Sequence, residues 1–216
     1  MVKFATFDCY GTLIDWKRGI SDSFKRIVGE MYPDDEIFNT YVNIEARREG
    51  IYDSYRSILE MSFKDLAAIF GVKVTDSQAR LFAESITEWP GFYDSAPALK
   101  ELGENGIKRI ILSNVDRDIL ERTIARANLE VDGFVTAEDV RSYKPNFAHW
   151  KYFFTNFNAS AENTVHIAGS LYHDIEPATK LGLKAIWVNR YGKSSEDYGY
   201  KTIHDLKSIA KILNEL

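Results

Sequence analysis

From residue 91 onward, short apolar runs alternate with helical segments, and this alternation limits the fold more than any other feature of the chain. Arg109-Ile110-Ile111-Leu112, Gly133-Phe134-Val135-Thr136, Thr164 to Ala168 and Ala185-Ile186-Trp187-Val188 read as strands. Ala96 to Leu102, Arg117 to Asn128, a stretch ending at Phe154, Asp174 to Leu181 and Thr202 to Leu216 read as helices. Strands that are apolar along their length are buried on both faces, and strands separated by helices pair in parallel. An earlier apolar run, Val2, Phe4, Ala5 and Phe7, adds one strand and stops abruptly at Asp8.

Residues 16–88 have a different character. Ile20, Phe24, Ile27, Val28 and Met31 recur at helical spacing, and Tyr41, Ile44, Tyr52, Tyr55, Ile58, Leu59, Leu66 and Ile69 continue it. Thr75-Asp76 offers an N-cap for a further helix through Ala79, Phe82 and Ile86, and Trp89-Pro90-Gly91 closes the block with helix breakers. The expected fold is α/β: a parallel-sheet core from residues 1–15 and 90–216, with an α-helical cap, residues 16–89, inserted after the first strand. A length of 216 residues accommodates both. Residues 193–197, Lys-Ser-Ser-Glu-Asp, read as a surface loop.

A net charge of −5 argues against a nucleic-acid partner, which would need a basic face. No window is long and apolar enough for a membrane span, so no membrane partner is expected. The first strand begins without a signal peptide's three regions, and the single cysteine, Cys9, suits a reducing compartment; the expectation is cytoplasmic. Alternation turns Cys9 away from the face used by Asp8 and Tyr10, so it reads as a packing residue.

Four strand ends carry polar groups: Asp8 with Tyr10 and Thr12, Ser113 with Asn114, Lys144, and Ser170 with Asp174. Singly each has an ordinary role; Asp116, for example, stands where it would cap the helix behind it. In a parallel sheet all four ends face one edge, where such folds bind ligands. Together they place two carboxylates, an ammonium and hydroxyl or amide donors in one crevice.

This order resembles the haloacid dehalogenase-like hydrolase superfamily over nearly the whole chain. Phe7-Asp8-x-Tyr10-Gly11-Thr12-Leu13-x-Asp15 is similar to its first motif, Leu112-Ser113-Asn114 to its second, Lys144-Pro145 to its third, and Gly169-Ser170-Leu171-Tyr172-His173-Asp174 to its fourth. The resemblance implies a Rossmann-like core with a helical cap, Asp8 as nucleophile and Lys144 as its partner. Phosphatases of the superfamily carry a second Asp two residues after the nucleophile, as general acid and base. Here that place is Tyr10, the first-motif form of the (S)-2-haloacid dehalogenases.

That branch implies attack of Asp8 on C2 of a small anionic organic substrate, a 2-haloacid, and hydrolysis of the resulting ester. Halide leaves without a proton, so no cofactor or metal is expected; Mg²⁺ belongs to the alternative reading, a phosphatase acting on a small phosphate ester. The further alternative is a catalytically weak small-molecule-binding protein. In the dehalogenase reading Asp174 positions water, and Tyr10, Thr12, Ser113, Asn114, Ser170 and a cap arginine bind substrate. Arg47 is the first candidate for that arginine, then Arg48 and Arg56. Two positions depart from the branch. Trp150 stands where it has Tyr, and Gly169-Ser170-Leu171 stands where it has Ser-Ser-Asn. Trp16 and Trp89 flank the cap junctions and read as hinge packing first and as the lining of an apolar substrate pocket second, and His173 as a cap or packing residue. The chain is taken as monomer or homodimer, with Tyr41, Tyr52 and Tyr55 offering a dimer face.

Overall fold

The computed structural model describes residues 2–29, 32–48, 50–193 and 199–216. Met31 and residues 194–197 of the expected loop lie outside them. Strand β1 (Phe4–Phe7) is followed by four helices, α1 (Trp16–Val28), α2 (Asp34–Glu45), α3 (Tyr55–Ile69) and α4 (Asp76–Ser85). The rest alternates: α5 (Ser95–Glu104), β2 (Lys108–Ser113), α6 (Arg117–Arg126), β3 (Gly133–Thr136), α7 (Ala137–Val140), α8 (Ala148–Phe157), β4 (Thr164–Ala168), α9 (Glu176–Lys180), β5 (Lys184–Val188), β6 (Lys201–Ile203) and α10 (Ile209–Asn214). The six strands form one parallel sheet in the order β3-β2-β1-β4-β5-β6. β1 is central, and the order reverses on either side of it, so its C-terminal end opens at the topological switch point. Asp8 is the first residue beyond that end.

The burial pattern follows the apolar runs. β4 is buried at all five positions, as expected for a strand covered on both faces. The helix expected over 202–216 is shorter, Ile209–Asn214, and its first residues belong instead to the edge strand β6, three residues long with no position fully buried. Thr75 does cap α4, in a reciprocal box with Gln78. Asp116 makes no side-chain bond at the start of α6. Its carboxylate instead accepts the backbone N–H groups of Tyr55 (2.9 Å) and Arg56 (3.0 Å), at the start of α3. An aspartate of the sheet side thus caps a helix of the inserted block.

The chain enters and leaves that block side by side. Asp15 N–H donates to Pro90 O at 2.8 Å and Phe92 N–H to Leu13 O at 2.9 Å. Trp89 packs at this neck as expected: its ring fills the space a Cβ on Gly19 would need, and its N–H donates to Ser23 at 3.0 Å. Tyr41 and Tyr55 are buried, and Tyr52 stacks on Tyr143 at 5.7 Å. Of the three tyrosines expected at a dimer face, Tyr41 and Tyr55 are thus enclosed and Tyr52 is half-buried.

Candidate active site

The strand-end groups converge. Lys144, fully buried, donates three hydrogen bonds from Nζ: to Asp8 Oδ1 (2.9 Å), Asp174 Oδ1 (2.7 Å) and Leu112 O (2.8 Å). An ammonium has three donors, so its capacity is used in full. Thr12 Oγ1 donates to Asp8 Oδ2 at 2.7 Å and accepts Gly169 N–H at 2.8 Å. Thr12, expected to bind substrate, instead spends its hydroxyl on orienting the Asp8 carboxylate. The turn that aims these groups needs two glycines. Gly11 has φ +92°, and a Cβ on Gly169 would stand 2.5 Å from Gly11 O.

The electrostatics follow from one cation shared by two carboxylates. Burial raises Asp8, and the neighbouring Asp174 raises it further; Lys144 and Thr12 oppose this, and the net shift is upward. Burial raises Asp174 too, but Lys144 and His166 outweigh it and hold it at about 2. Burial lowers Lys144, but the two carboxylates more than reverse that. The trio carries a net negative charge, and its first proton goes to Asp8.

A cavity of about 80 Å³ opens onto the trio. Its sheet side is lined by Asp8, Ser113, Asn114, Lys144, Ser170 and Asp174; its inserted-block side by Trp16, Glu45 and Tyr55. Tyr10, Val115 and His173 complete the wall. Tyr10 presents its ring, since its hydroxyl bonds Thr123 Oγ1 at 2.7 Å; burial, its largest influence, holds that phenol well above its usual range. Asn114 pins the lysine: its Nδ2 donates to Lys144 O at 3.1 Å and its Oδ1 accepts Lys144 N–H at 2.7 Å. Ser170 Oγ accepts His173 N–H at 3.1 Å. Ser113 Oγ is buried with no hydrogen-bond partner among the described residues. A second, largely apolar cavity of about 330 Å³ abuts the first at Tyr10, Trp16, Ser170 and His173.

The expected arginine is not at this cavity. Arg47 is exposed and lines a separate surface hollow with Arg48, which pairs with Asp65. Arg56 pairs with Glu84 and Asp118. The end of α2 is the reason: Tyr41 and Ile44 face the interior and bring Glu45 to the cavity, the helix stops there, and Arg47 lies exposed in the turn beyond it. Tyr55 and Tyr41 (3.4 Å) both donate their hydroxyls to Glu45 Oε1. Trp16 takes the second of its two expected roles and lines the cavity. Trp150 is buried against His166, ring centroids 5.3 Å apart, and Leu171 faces the second cavity.

Sequence reasoning missed a supporting layer. His166 Nε2–H donates to Asp174 at 3.1 Å, in the tautomer that leaves Nδ1 to accept from Thr6 Oγ1 at 2.9 Å. Thr6 and His166 are register partners on β1 and β4, and Thr6 shares the face of Asp8; strand alternation was the signal available. His149 bonds Ser113 O at 3.1 Å; burial and the Lys144 charge hold its imidazole down at about 3, hence neutral with Nε2–H donating. Arg190 bonds Thr12 O (2.8 and 3.1 Å) and pairs with Asp94 at 2.7 Å, bracing the nucleophile turn from the end of β5. Asp174 rides on a five-residue π turn, Leu171–Ile175, a distortion frequent at functional sites. Cys9 is fully buried, and that burial raises its thiol well above its usual range, which makes it inert.

The family model described as haloacid dehalogenase-like hydrolase matches residues 2–182. The chain belongs to this family. Among curated members, an (S)-2-haloacid dehalogenase of Pseudomonas fluorescens is 21% identical over 225 residues, covering 100% of this chain and 96% of that protein. Among solved members, an L-2-haloacid dehalogenase of Xanthobacter autotrophicus superposes with a TM-score of 0.87 at 19% identity, covering 100% of both chains. A structure from the same organism with chloropropionic acid covalently bound gives 0.86 at 18% identity. The HAD hydrolase YfnB of Bacillus subtilis, bound to magnesium, gives 0.83 at 18% identity, covering 99% of both chains. These likenesses share the α/β architecture of a HAD-like hydrolase.

Proposed function

We propose that this hydrolase cleaves the carbon–halogen bond of short 2-haloacids through an ester on Asp8, with the helices of residues 16–89 acting as its cap. The observation that carries the reading is Tyr10. Its hydroxyl is committed to Thr123, so the position that supplies a proton donor to phosphate esters supplies none here. A carbon–halogen bond needs none. An oxygen of Asp8 attacks C2, the C–X bond breaks with its electron pair on the halide, and C2 inverts. Water then adds at the Asp8 carbonyl carbon, the 2-hydroxyacid leaves, and one proton is released overall.

Lys144 and Thr12 hold Asp8 for the attack, and Ser113 Oγ is the donor suited to the substrate carboxylate. Asp174, held as a carboxylate by Lys144 and His166, orients the hydrolytic water. The small cavity favours a substrate of few heavy atoms. The reading requires no cofactor. Wild-type protein with (S)-2-chloropropionate in EDTA should release chloride, and Asp8→Asn should release none. In H₂¹⁸O, the first turnover should place unlabelled oxygen in the product, because that oxygen comes from Asp8. Phosphate release requiring Mg²⁺, with no halide from any haloacid, would replace this reading with the phosphatase.

A further inference from the structure

We infer that His166 is a positioning residue for one half of the reaction only, the hydrolysis of the Asp8 ester. This rests on the proposed carbon–halogen cleavage and assigns within it the side chain that readies Asp174 for the water. Asp174 accepts two side-chain hydrogen bonds, from Lys144 Nζ (2.7 Å) and His166 Nε2 (3.1 Å), and both fall on Oδ1. Oδ2 accepts none among the described residues, and Asp174 lines the cavity, so Oδ2 is the oxygen left for a water there. Lys144 alone does not fix this arrangement, because the same ammonium also serves Asp8 and Leu112 O. A carboxylate held by one bond is free to turn about it. The second bond, from a different element, sets its plane.

The imidazole is itself pinned. It is fully buried, Thr6 Oγ1 occupies Nδ1 at 2.9 Å from the neighbouring strand, and Trp150 packs edge-on at 5.3 Å. Trp150 gives Asp174 nothing, since its indole N–H makes no hydrogen bond among the described residues. The two half-reactions differ in what they ask of this arrangement. In hydrolysis the water oxygen bonds to the Asp8 carbonyl carbon, and one water proton passes to Asp174 Oδ2. That proton goes on to the departing oxygen of the 2-hydroxyacid as the ester C–O bond breaks. The second water proton leaves as Asp8 returns to a carboxylate. Ester formation moves no proton, so it makes no demand on Oδ2 or on the imidazole behind it.

Rapid quench of a single turnover of (S)-2-chloropropionate separates the halves, with chloride followed directly and the Asp8 ester by intact-protein mass spectrometry. His166→Phe keeps a ring and loses the donor. It should release chloride within about threefold of the wild-type rate, while the ester accumulates and decays about tenfold more slowly or worse. His166→Gln, whose amide N–H can stand in for Nε2–H, should recover ester decay to within about threefold of wild type. A merely structural loss would slow both steps and would not be rescued. If His166→Phe is not folded by circular dichroism, Thr6→Val, which keeps the shape and removes the hydroxyl on Nδ1, should show the same one-sided loss in smaller measure. Chloride release and ester decay slowed alike, neither slowed, or no recovery with glutamine would overturn the assignment. Absence of halide from wild type with every haloacid is a different result: it overturns the carbon–halogen reading itself, and the assignment to ester hydrolysis goes with it.

Discussion

Asp8 must be ionised to attack, and its surroundings set the pH at which it is. Burial and the Asp174 charge raise its carboxyl above the ordinary 3.8. Halide release in a single turnover should therefore fall with decreasing pH through a midpoint above 3.8. Asp174→Asn removes a raising charge and leaves Lys144 to Asp8 alone, so the midpoint should move down; a stopped-flow pH profile of both proteins reads it. Asp8 was legible because a carboxylate closing an apolar strand has few places to point; Lys144 and Asp174 lie beyond the ends of β3 and β4 and were legible through their order in the motif set. Glu45 was not, because a one-residue uncertainty in helical register separates it from its neighbours.

The elements are joined by side chains that cap or brace a neighbour from far away in sequence. Asp116 closes the first turn of α3 across 61 residues, and Tyr143 donates its hydroxyl to Asp53 O at 2.6 Å just before that turn. Asp116→Ala should destabilise the protein by about 1 kcal/mol, the usual worth of such a cap. It should also raise KM more than it lowers kcat, because α3 carries Tyr55 to the cavity; thermal melts and kinetics on one sample separate the two effects. The parallel strands were legible from burial on both faces, and α4 from its capping box. β6 was not, since three partly exposed residues give no period to read, and neither was the π turn under Asp174, since its sequence does not differ from that of an ordinary helix start.

At the scale of the molecule, the parallel sheet and the helical block after its first strand were both readable, because the change from strand-helix alternation to unbroken helical periodicity marks where one gives way to the other; the order of the strands was not, since nothing in a strand's own residues names its neighbours. What the sequence left hidden is how the two parts divide the site. The sheet edge contributes Asp8, Lys144 and Asp174, while the inserted helices contribute Trp16, Glu45 and Tyr55. The bond between Tyr10 and Thr123 also constrains how such a chain could change its chemistry. Replacing Tyr10 with aspartate would supply the acid a phosphatase needs. It would also strip Thr123 of its partner inside α6 and remove the ring that meets Trp89 edge-on at 6.0 Å, at the neck of the inserted block. An evolutionary path between the two activities therefore runs through a compensating change at Thr123 or Trp89, and a single substitution at position 10 leads to a loosened neck before it leads to a new enzyme.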